Sequence, residues 1–457
     1  MSKDSAAALV ERSLAHVWHP CTQMKDHEWL PLVPITRGEG AWLYGPDDKR
    51  YFDAVSAWWT NLFGHRHPHI VSRLKEQLDT LDHVMLAGFT HPPVVELSER
   101  LARITPGDLS RCMYTDNGSS AVEVALKMSH HYWVNSGKPE KTRFIALSGS
   151  YHGETLGALA VSSTGLYRDA YKQLLLEPIV VRGPDCGILE PGGRPPGRSW
   201  EDHARARFKE MERALEQYAD TTAAVIVEPL IQCASGMRMW PPIYLKLLSE
   251  ACKRHGVHLI ADEIAVGFCR TGKLFACEWA DVTPDFMCLS KGLTGGTLPL
   301  AVCLTNEHIY QAFYDDYASG KAFLHSHSYT GNPITCTAAL ATLDILEQRD
   351  WPAHVRNLGQ RLYGALSELS RHPHVADIRQ QGLVVAVDLA QDGPAAKPYA
   401  AGERRGLRVY QHGLTRGALL RPLGNTVYFM PPYVTTPEEI DWLAEVAIEG
   451  IHSATAD

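Results

Sequence analysis

The run Cys288-Leu-Ser-Lys-Gly-Leu-Thr-Gly-Gly296 follows the strand-like stretch Val257-His-Leu-Ile-Ala-Asp-Glu263, and these two segments decide how the chain is read. An ordinary lysine is a strongly hydrated point charge with a pKa of about 10.4. It becomes a nucleophile toward carbonyls only when desolvation or positive neighbours depress that value. A lysine that follows an apolar run, opens a glycine-rich turn and lies near a strand-end aspartate suggests pyridoxal phosphate, whose chemistry needs a carboxylate facing the ring nitrogen. Lys291 and Asp262 are the candidates for these two roles. Alone, a lysine after a hydrophobic strand more often caps the element, so the remainder of the chain has to decide.

Working outward, strand and helix alternate. Arg111-Cys-Met-Tyr-Thr-Asp116 reads as a short strand, and Gly118 to Met128 carries apolar residues at helical spacing. Further strands are expected at Arg143–Leu147, Ala223–Glu228, Val257–Ala261, Phe286–Leu289 and Pro299–Leu304, with helical stretches between several of them. Near-continuous apolar runs separated by helices predict an α/β fold, a mostly parallel sheet covered on both faces. The expected division is residues 1–67 as an N-terminal segment contributing to a small domain, 68–330 as the large domain, and 331–457 as a C-terminal small α+β domain. Within the last, a helix is expected near Pro333–Gln348 and strands at Val375–Asp388 and Val427–Met430, joined by the N-terminal Ala41–Tyr44 and Tyr51–Asp53. Gly183–Gly197, rich in glycine and proline, reads as a loop excursion.

Composition narrows the function classes. At 457 residues the chain can bury a large core, and 45% hydrophobic with 21% charged residues is ordinary for a soluble globular protein. The net charge of −8 comes with no basic run to track a phosphate backbone, so no nucleic-acid partner is expected. No stretch approaches the ~20 apolar residues of a membrane span, and Met1–Arg12 has no sustained signal core, so a cytoplasmic enzyme without a membrane partner is expected. The ten cysteines are scattered without a Cys-x-x-Cys pair, which predicts neither a disulfide framework nor a zinc site.

In an open α/β sheet ligands bind beyond the carboxyl ends of the strands, so Asp262, Glu228, Lys291 and the Gly118-Ser119 turn can converge despite their separation. Gly118 and Ser119 would offer backbone N–H groups, a hydroxyl and a positive helix end to a phosphate; the plainer alternative is a helix N-cap by Ser or Asn. Tyr151 in Tyr151-His152-Gly153 could stack on a pyridine face, or be a loop tyrosine. Three patterns are set aside. Gly267-Phe-Cys-Arg-Thr-Gly-Lys-Leu274 nearly matches a phosphate loop, but Leu274 stands where magnesium needs a hydroxyl. Asn117-Gly-Ser119 is a formal glycosylation site better read as a turn. His65-Arg-His67-Pro-His69 and His325-Ser-His327 lack a companion carboxylate or cysteine set at metal-site spacing, so no metal is expected.

Asp116-Asn-Gly-Ser-Ser-Ala-Val-Glu123, Ser150-Tyr-His-Gly-Glu154, Ile226-Val-Glu-Pro229, Ala261-Asp-Glu-Ile264 with Arg270-Thr-Gly272, Ser290-Lys-Gly292 and Ser328-Tyr-Thr-Gly-Asn332 carry a resemblance over nearly the whole chain. They resemble the class III (ω-amino acid) aminotransferases of PLP fold type I. That resemblance implies a seven-stranded type of central sheet, pyridoxal 5'-phosphate as cofactor, and a homodimer with shared active sites. Val17-Trp-His-Pro-Cys-Thr-Gln-Met24, Ser56-Ala-Trp-Trp59, His83–Gly88, Gly236-Met-Arg-Met239, Gly272–Glu278 and Leu420-Arg-Pro-Leu423 are similar to the biotin-pathway branch of that class. Members of that branch aminate 8-amino-7-oxononanoate, with S-adenosyl-L-methionine as the usual amino donor; Ala265 matches the branch in being small.

The resemblance implies roles residue by residue. Lys291 would hold the cofactor covalently, Asp262 would pair with the ring nitrogen, and Tyr151 would cover the ring. Gly118 and Ser119 would bind the phosphate, together with His327 and Ser328 reaching across from a second copy. Trp58 and Tyr151 would line the substrate channel, Ser326 would touch substrate through its backbone, and Arg421 would receive the substrate carboxylate. Cys21 stands where adenosylmethionine-using relatives often carry a substrate-recognising tyrosine, and Ser328 replaces a common threonine. Lys321–Tyr329 also resembles a subgroup that uses L-lysine as donor. A class III enzyme acting on ornithine, 4-aminobutyrate or a diamine, and a non-catalytic pyridoxal-binding subunit, are the alternatives.

Overall fold

The computed structural model describes residues 5–185 and 197–456. Residues 186–196 of the expected Gly183–Gly197 loop therefore lie outside the described residues. After the helix Ala6–His16 come three short strands: β1 (Arg37–Glu39), β2 (Trp42–Tyr44) and β3 (Arg50–Phe52). The central sheet follows with β4 (Arg111–Thr115), β5 (Arg143–Leu147), β6 (Ile179–Val181) and β7 (Thr222–Val227). A two-stranded ribbon, β8 (Ile231–Gln232) and β9 (Arg238–Met239), interrupts it before β10 (His258–Asp262), β11 (Phe286–Leu289) and β12 (Ala301–Thr305) complete it.

The seven strands lie in the order β4-β12-β11-β10-β7-β5-β6. All are parallel except β12, which runs antiparallel to both of its neighbours, β11 and β4. Burial explains why these segments become central strands. All six residues of β7 and all five of β10 are buried, so either face must be apolar. The period of two then sorts them: Ala224, Ile226 and Ile260 join one core cluster with the helix Gly118–Asn135, whereas Val225, Val227 and Leu259 join the other. The helices Trp200–Tyr218 and Pro242–His255 cover this second face through Phe208, Leu215, Leu245 and Leu248. β6 went unrecognised in the sequence because it is three residues long at the sheet edge.

The C-terminal sheet contains β13 (Val375–Gln381), β14 (Val384–Asp392), β15 (Lys397–Pro398) and β16 (Thr426–Phe429). β13 and β14 form a hairpin, and β14 pairs antiparallel with both β15 and β16. The helices Trp351–Leu366 and Pro437–Ala454 contribute Val355, Leu358, Leu362, Ile440 and Leu443 to the same core. The segments Ala41–Tyr44 and Tyr51–Asp53 do not enter that sheet. They supply β2 and β3 of the separate antiparallel β1-β2-β3 sheet, which reaches the C-terminal region by a bridge from Phe52 to Ala418. The Phe52 N–H donates to Gly417 O at 2.7 Å, and Trp42, Phe52 and Trp442 pack ring against ring.

Two buried arginines join the central and C-terminal sheets. Arg270 donates to Asn61 O at 3.2 Å and to Pro431 O at 2.9 Å, lying 4.8 Å from the Tyr433 ring centroid. Arg379 grips Asp388 with both terminal nitrogens, at 2.6 and 3.0 Å, and donates to Met237 O at 2.8 Å. The hairpin turn is as tightly docked: Leu383 N–H donates to Arg270 O at 3.1 Å. A Cβ on Gly382, whose φ is +57°, would lie 2.3 Å from Arg270 O and 2.4 Å from Thr271 C. Backbone strain and a backbone clash thus coincide at one position. Gly382→Ala is expected to destabilise the protein by about 2 kcal/mol or more, measured as a lower denaturation midpoint, whereas Gly364→Ala, with open space at its Cβ, should stay near wild type.

Candidate active site

The carboxyl ends of β4, β5, β7, β10 and β11 surround a cavity of about 610 Å³ lined by Ser119, Tyr151, Glu228, Asp262 and Lys291, among others. Lys291 opens the short turn that follows β11, with a left-handed φ of 45° that turns the chain away from the sheet. Its ammonium lies 5.2 Å from the Trp59 ring centroid. The half-buried side chain lines the cavity, and burial pulls its pKa below the ordinary lysine value against the opposing pull of Asp262, Cys233 and Glu228.

Asp262 ends β10 at 5% exposure. Its Oδ1 accepts the Ile264 N–H at 3.1 Å, and its Oδ2 lies 2.8 Å from His152 Nδ1. His152 is buried and its Nε2 has no partner, which assigns the proton to Nδ1 as donor to the carboxylate. Glu228, just past β7, accepts the Tyr151 N–H at 3.0 Å on one oxygen and the Cys233 N–H at 3.1 Å on the other. Burial pushes its carboxyl up to about 7. Tyr151, half-buried after β5, donates its hydroxyl to Glu154 Oε1 at 2.9 Å, and burial together with that carboxylate drives the phenol well above its ordinary pKa.

At the opposite side the helix Gly118–Asn135 begins, capped by Asn117 Oδ1, which accepts the Ser120 N–H at 3.0 Å. Asn117 is the cap, so the Ser119 hydroxyl is released from that duty and accepts the Glu154 N–H at 3.2 Å. Gly153 passes so close that a Cβ there would lie 2.0 Å from Ser119 Oγ, and its φ of +126° also demands glycine. A flat, anionic, nitrogen-containing ring fits these features. The helix N-terminus and Ser119 can take a phosphate, Asp262 keeps lone pairs for a ring N–H, and Lys291 can take a carbonyl. Among the described residues there is no cluster of metal-ligating side chains.

A second cavity of about 790 Å³ is lined by Cys21, Trp58, Tyr410, Arg421 and Tyr428, among others. Arg421 lies 4.1 Å from the Trp58 ring centroid and has no ion pair among the described residues. Cys21 places its Sγ 3.8 Å from Glu154 Oε1, at the edge nearest Tyr151. The partition between the cavities is a left-handed turn, Ser56–Trp59, with φ of 50°, 46°, 69° and 73°. Trp58 faces one cavity and Trp59 the other. Such backbone costs roughly 1–2 kcal/mol per non-glycine residue. It is offset by Ser56 Oγ donating to Met430 O at 2.6 Å and Trp59 Nε1 donating to Tyr428 Oη at 2.9 Å.

One chain does not bring Ser326, His327 and Ser328 to Lys291. Ser326 and Ser328 are exposed, and His327 sits 3.5 Å from Asp116 Oδ2 and 3.3 Å from the His325 ring, outside both cavities. Sequence reasoning missed His152, Glu154 and Trp59. His152 stands beside Tyr151 in the same motif, but its partner lies 110 residues away, a pairing only the fold creates.

The protein-family model for Aminotransferase class-III matches residues 23–451. The adenosylmethionine-8-amino-7-oxononanoate aminotransferase of Helicobacter pylori is 43% identical over 444 residues, covering 96% of this chain and 95% of the relative. A crystal structure of the enzyme of that name from Methanocaldococcus jannaschii superposes with a TM-score of 0.92 at 35% identity, covering 98% of this chain and 99% of the other. An amine transaminase from an uncultivated Pseudomonas species, solved in a PLP-bound form, gives a TM-score of 0.88 at 32% identity, covering 96% of this chain and 98% of the other. A match over this much of its length leaves one conclusion: the chain belongs to the class III aminotransferases.

Proposed function

We propose that the chain transfers an amino group to 8-amino-7-oxononanoate, forming 7,8-diaminononanoate for biotin biosynthesis in the cytoplasm, with S-adenosyl-L-methionine as donor and pyridoxal phosphate as cofactor. The observation that carries the substrate reading is Arg421, a guanidinium held on Trp58 in the second cavity without an acidic partner among the described residues. Its planar fork is suited to the two oxygens of a carboxylate, and Trp58 to the apolar chain behind it. The relatives named for this reaction support the same choice.

Pyridoxal phosphate, when bound, supplies an electron sink beside the carbon that carries the amine. Lys291 does the rest of the bond-making and proton work. Burial weakens its hold on a proton, so its Nζ can attack a carbonyl and, once displaced by substrate amine, take a proton from the substrate carbon and return it elsewhere. Asp262, oriented by His152 and the Ile264 N–H, would present its carboxylate to the ring nitrogen. Tyr151, pinned through its backbone by Glu228, would cover the ring, and Gly118 and Ser119 would hold the phosphate end. Ser326, His327 and Ser328, which lie outside their own chain's cavities, would complete the phosphate and substrate sites of a second copy in a homodimer. L-lysine is the second donor reading, favoured by Cys21 where a donor-recognising tyrosine is usual and by the Lys321–Tyr329 stretch.

One site handling two dissimilar substrates in turn requires ping-pong kinetics, so initial-rate lines should be parallel when both substrates are varied; intersecting lines would overturn this. Lys291→Ala should lose the visible absorbance of lysine-linked cofactor and nearly all turnover. Arg421→Ala should lower kcat/KM for oxononanoate by about a hundredfold, the scale of a lost charge-assisted pair, and leave acceptors without a carboxylate nearly unaffected. Assaying adenosylmethionine and L-lysine separately with oxononanoate decides the donor, and activity only with 2-oxoglutarate would reject the acceptor.

A further inference from the structure

The second cavity has three walls: the N-terminal strap, Cys21 to Leu32; the turn at Val55, Ala57 and Trp58; and residues between Tyr399 and Tyr428. The strap is lightly anchored. The helix Ala6–His16 and the short turn Met24–Glu28 bury no residue. Across the cavity, Arg404 Nη2 donates to Asp26 Oδ2 at 2.7 Å, and the same guanidinium lies 5.5 Å from the Trp29 ring centroid. Both members of this ion pair line the cavity, with side-chain exposures of 19% for Asp26 and 45% for Arg404. On the strap side, Asp26 O also accepts the Trp29 and Leu30 N–H groups at 3.1 and 2.8 Å, so the carboxylate sits on an ordered turn. On the other side, Arg404 precedes the helix Arg405–Arg416 with a left-handed φ of 48°.

We propose that Asp26 and Arg404 are positioning residues for substrate binding: their ion pair latches the N-terminal strap over the second cavity and holds Cys21 and the strap wall at the distance the substrate requires. The proposal rests on the reading of this cavity as the substrate chamber. Neither residue takes part in bond-making, so the effect falls on KM and leaves kcat in place. A half-exposed pair is modest, and the expected change is about two- to fivefold. It is also sensitive to salt, because screening at the cavity mouth weakens the latch in wild type, on top of the Arg421–carboxylate contact that every variant keeps.

The test uses the cofactor-loaded full chain with Asp26→Asn, Arg404→Gln and the swap Asp26→Arg/Arg404→Asp; aspartate tolerates the left-handed backbone at 404. The single variants should raise KM for oxononanoate about two- to fivefold with kcat within about twofold, show a smaller rise of KM with salt than wild type, and keep the cofactor absorbance. The swap should return KM toward wild type. Independently of any substrate, Arg404→Gln should speed tryptic cleavage after the exposed Lys25, which reports the freed strap. Wild-type KM in both single variants, or faster cleavage with unchanged KM, overturns the proposal. A wild type inactive on oxononanoate rejects the substrate reading instead, and the cleavage rates then still read the latch.

Discussion

A lysine cannot attack a carbonyl while water holds its proton, and the removal of that water is the constraint on which this structure turns. Lys291 is kept below ordinary lysine basicity by burial, even though Asp262 and Glu228 stand close enough to oppose the shift. Desolvation wins because the residue is delivered from inside the sheet. A parallel strand with both faces covered ends in a place that solvent reaches only through the cavity. The same geometry supplies the neighbours. Strands that run side by side finish side by side, so residues far apart in sequence meet at one rim without long loops to carry them.

The second requirement is that two sheets stay fixed against each other. Arg270 is buried and donates to carbonyl oxygens of the 61 and 430–431 segments, with no carboxylate in hydrogen-bond reach among the described residues. Carbonyls are numerous where chain segments cross, and a planar guanidinium can bind several at set angles, so the charge serves as a spacer between backbones. Arg379 does the same with Gly236 and Met237, but with Asp388 to balance it.

How much of this could be read from the sequence varied with the range of the interaction. The buried strands were legible because apolar runs such as Ala223-Ala-Val-Ile-Val227 are local signals, and their alternation with helices constrained the sheet to be mostly parallel. The antiparallel direction of β12 was not legible, since an apolar run carries no arrow. Nor was β6, too short to stand out. Lys291, Asp262, Tyr151 and the Gly118-Ser119 turn could be nominated because each is tied to a strand end. His152 could not, because its meaning lies in an angle toward Asp262 that only the assembled sheet defines. The four left-handed residues at Ser56–Trp59 were equally hidden: no local feature of Ser-Ala-Trp-Trp favours that backbone, and tertiary contacts impose it.

That turn has a consequence for how the site is built. Its shape is not encoded where its sequence lies: the Met430 carbonyl and the Tyr428 hydroxyl, more than three hundred residues downstream, keep it wound. The wall between the two cavities therefore depends on the C-terminal sheet, and a change at Tyr428, which lines the second cavity, reaches the first through Trp59.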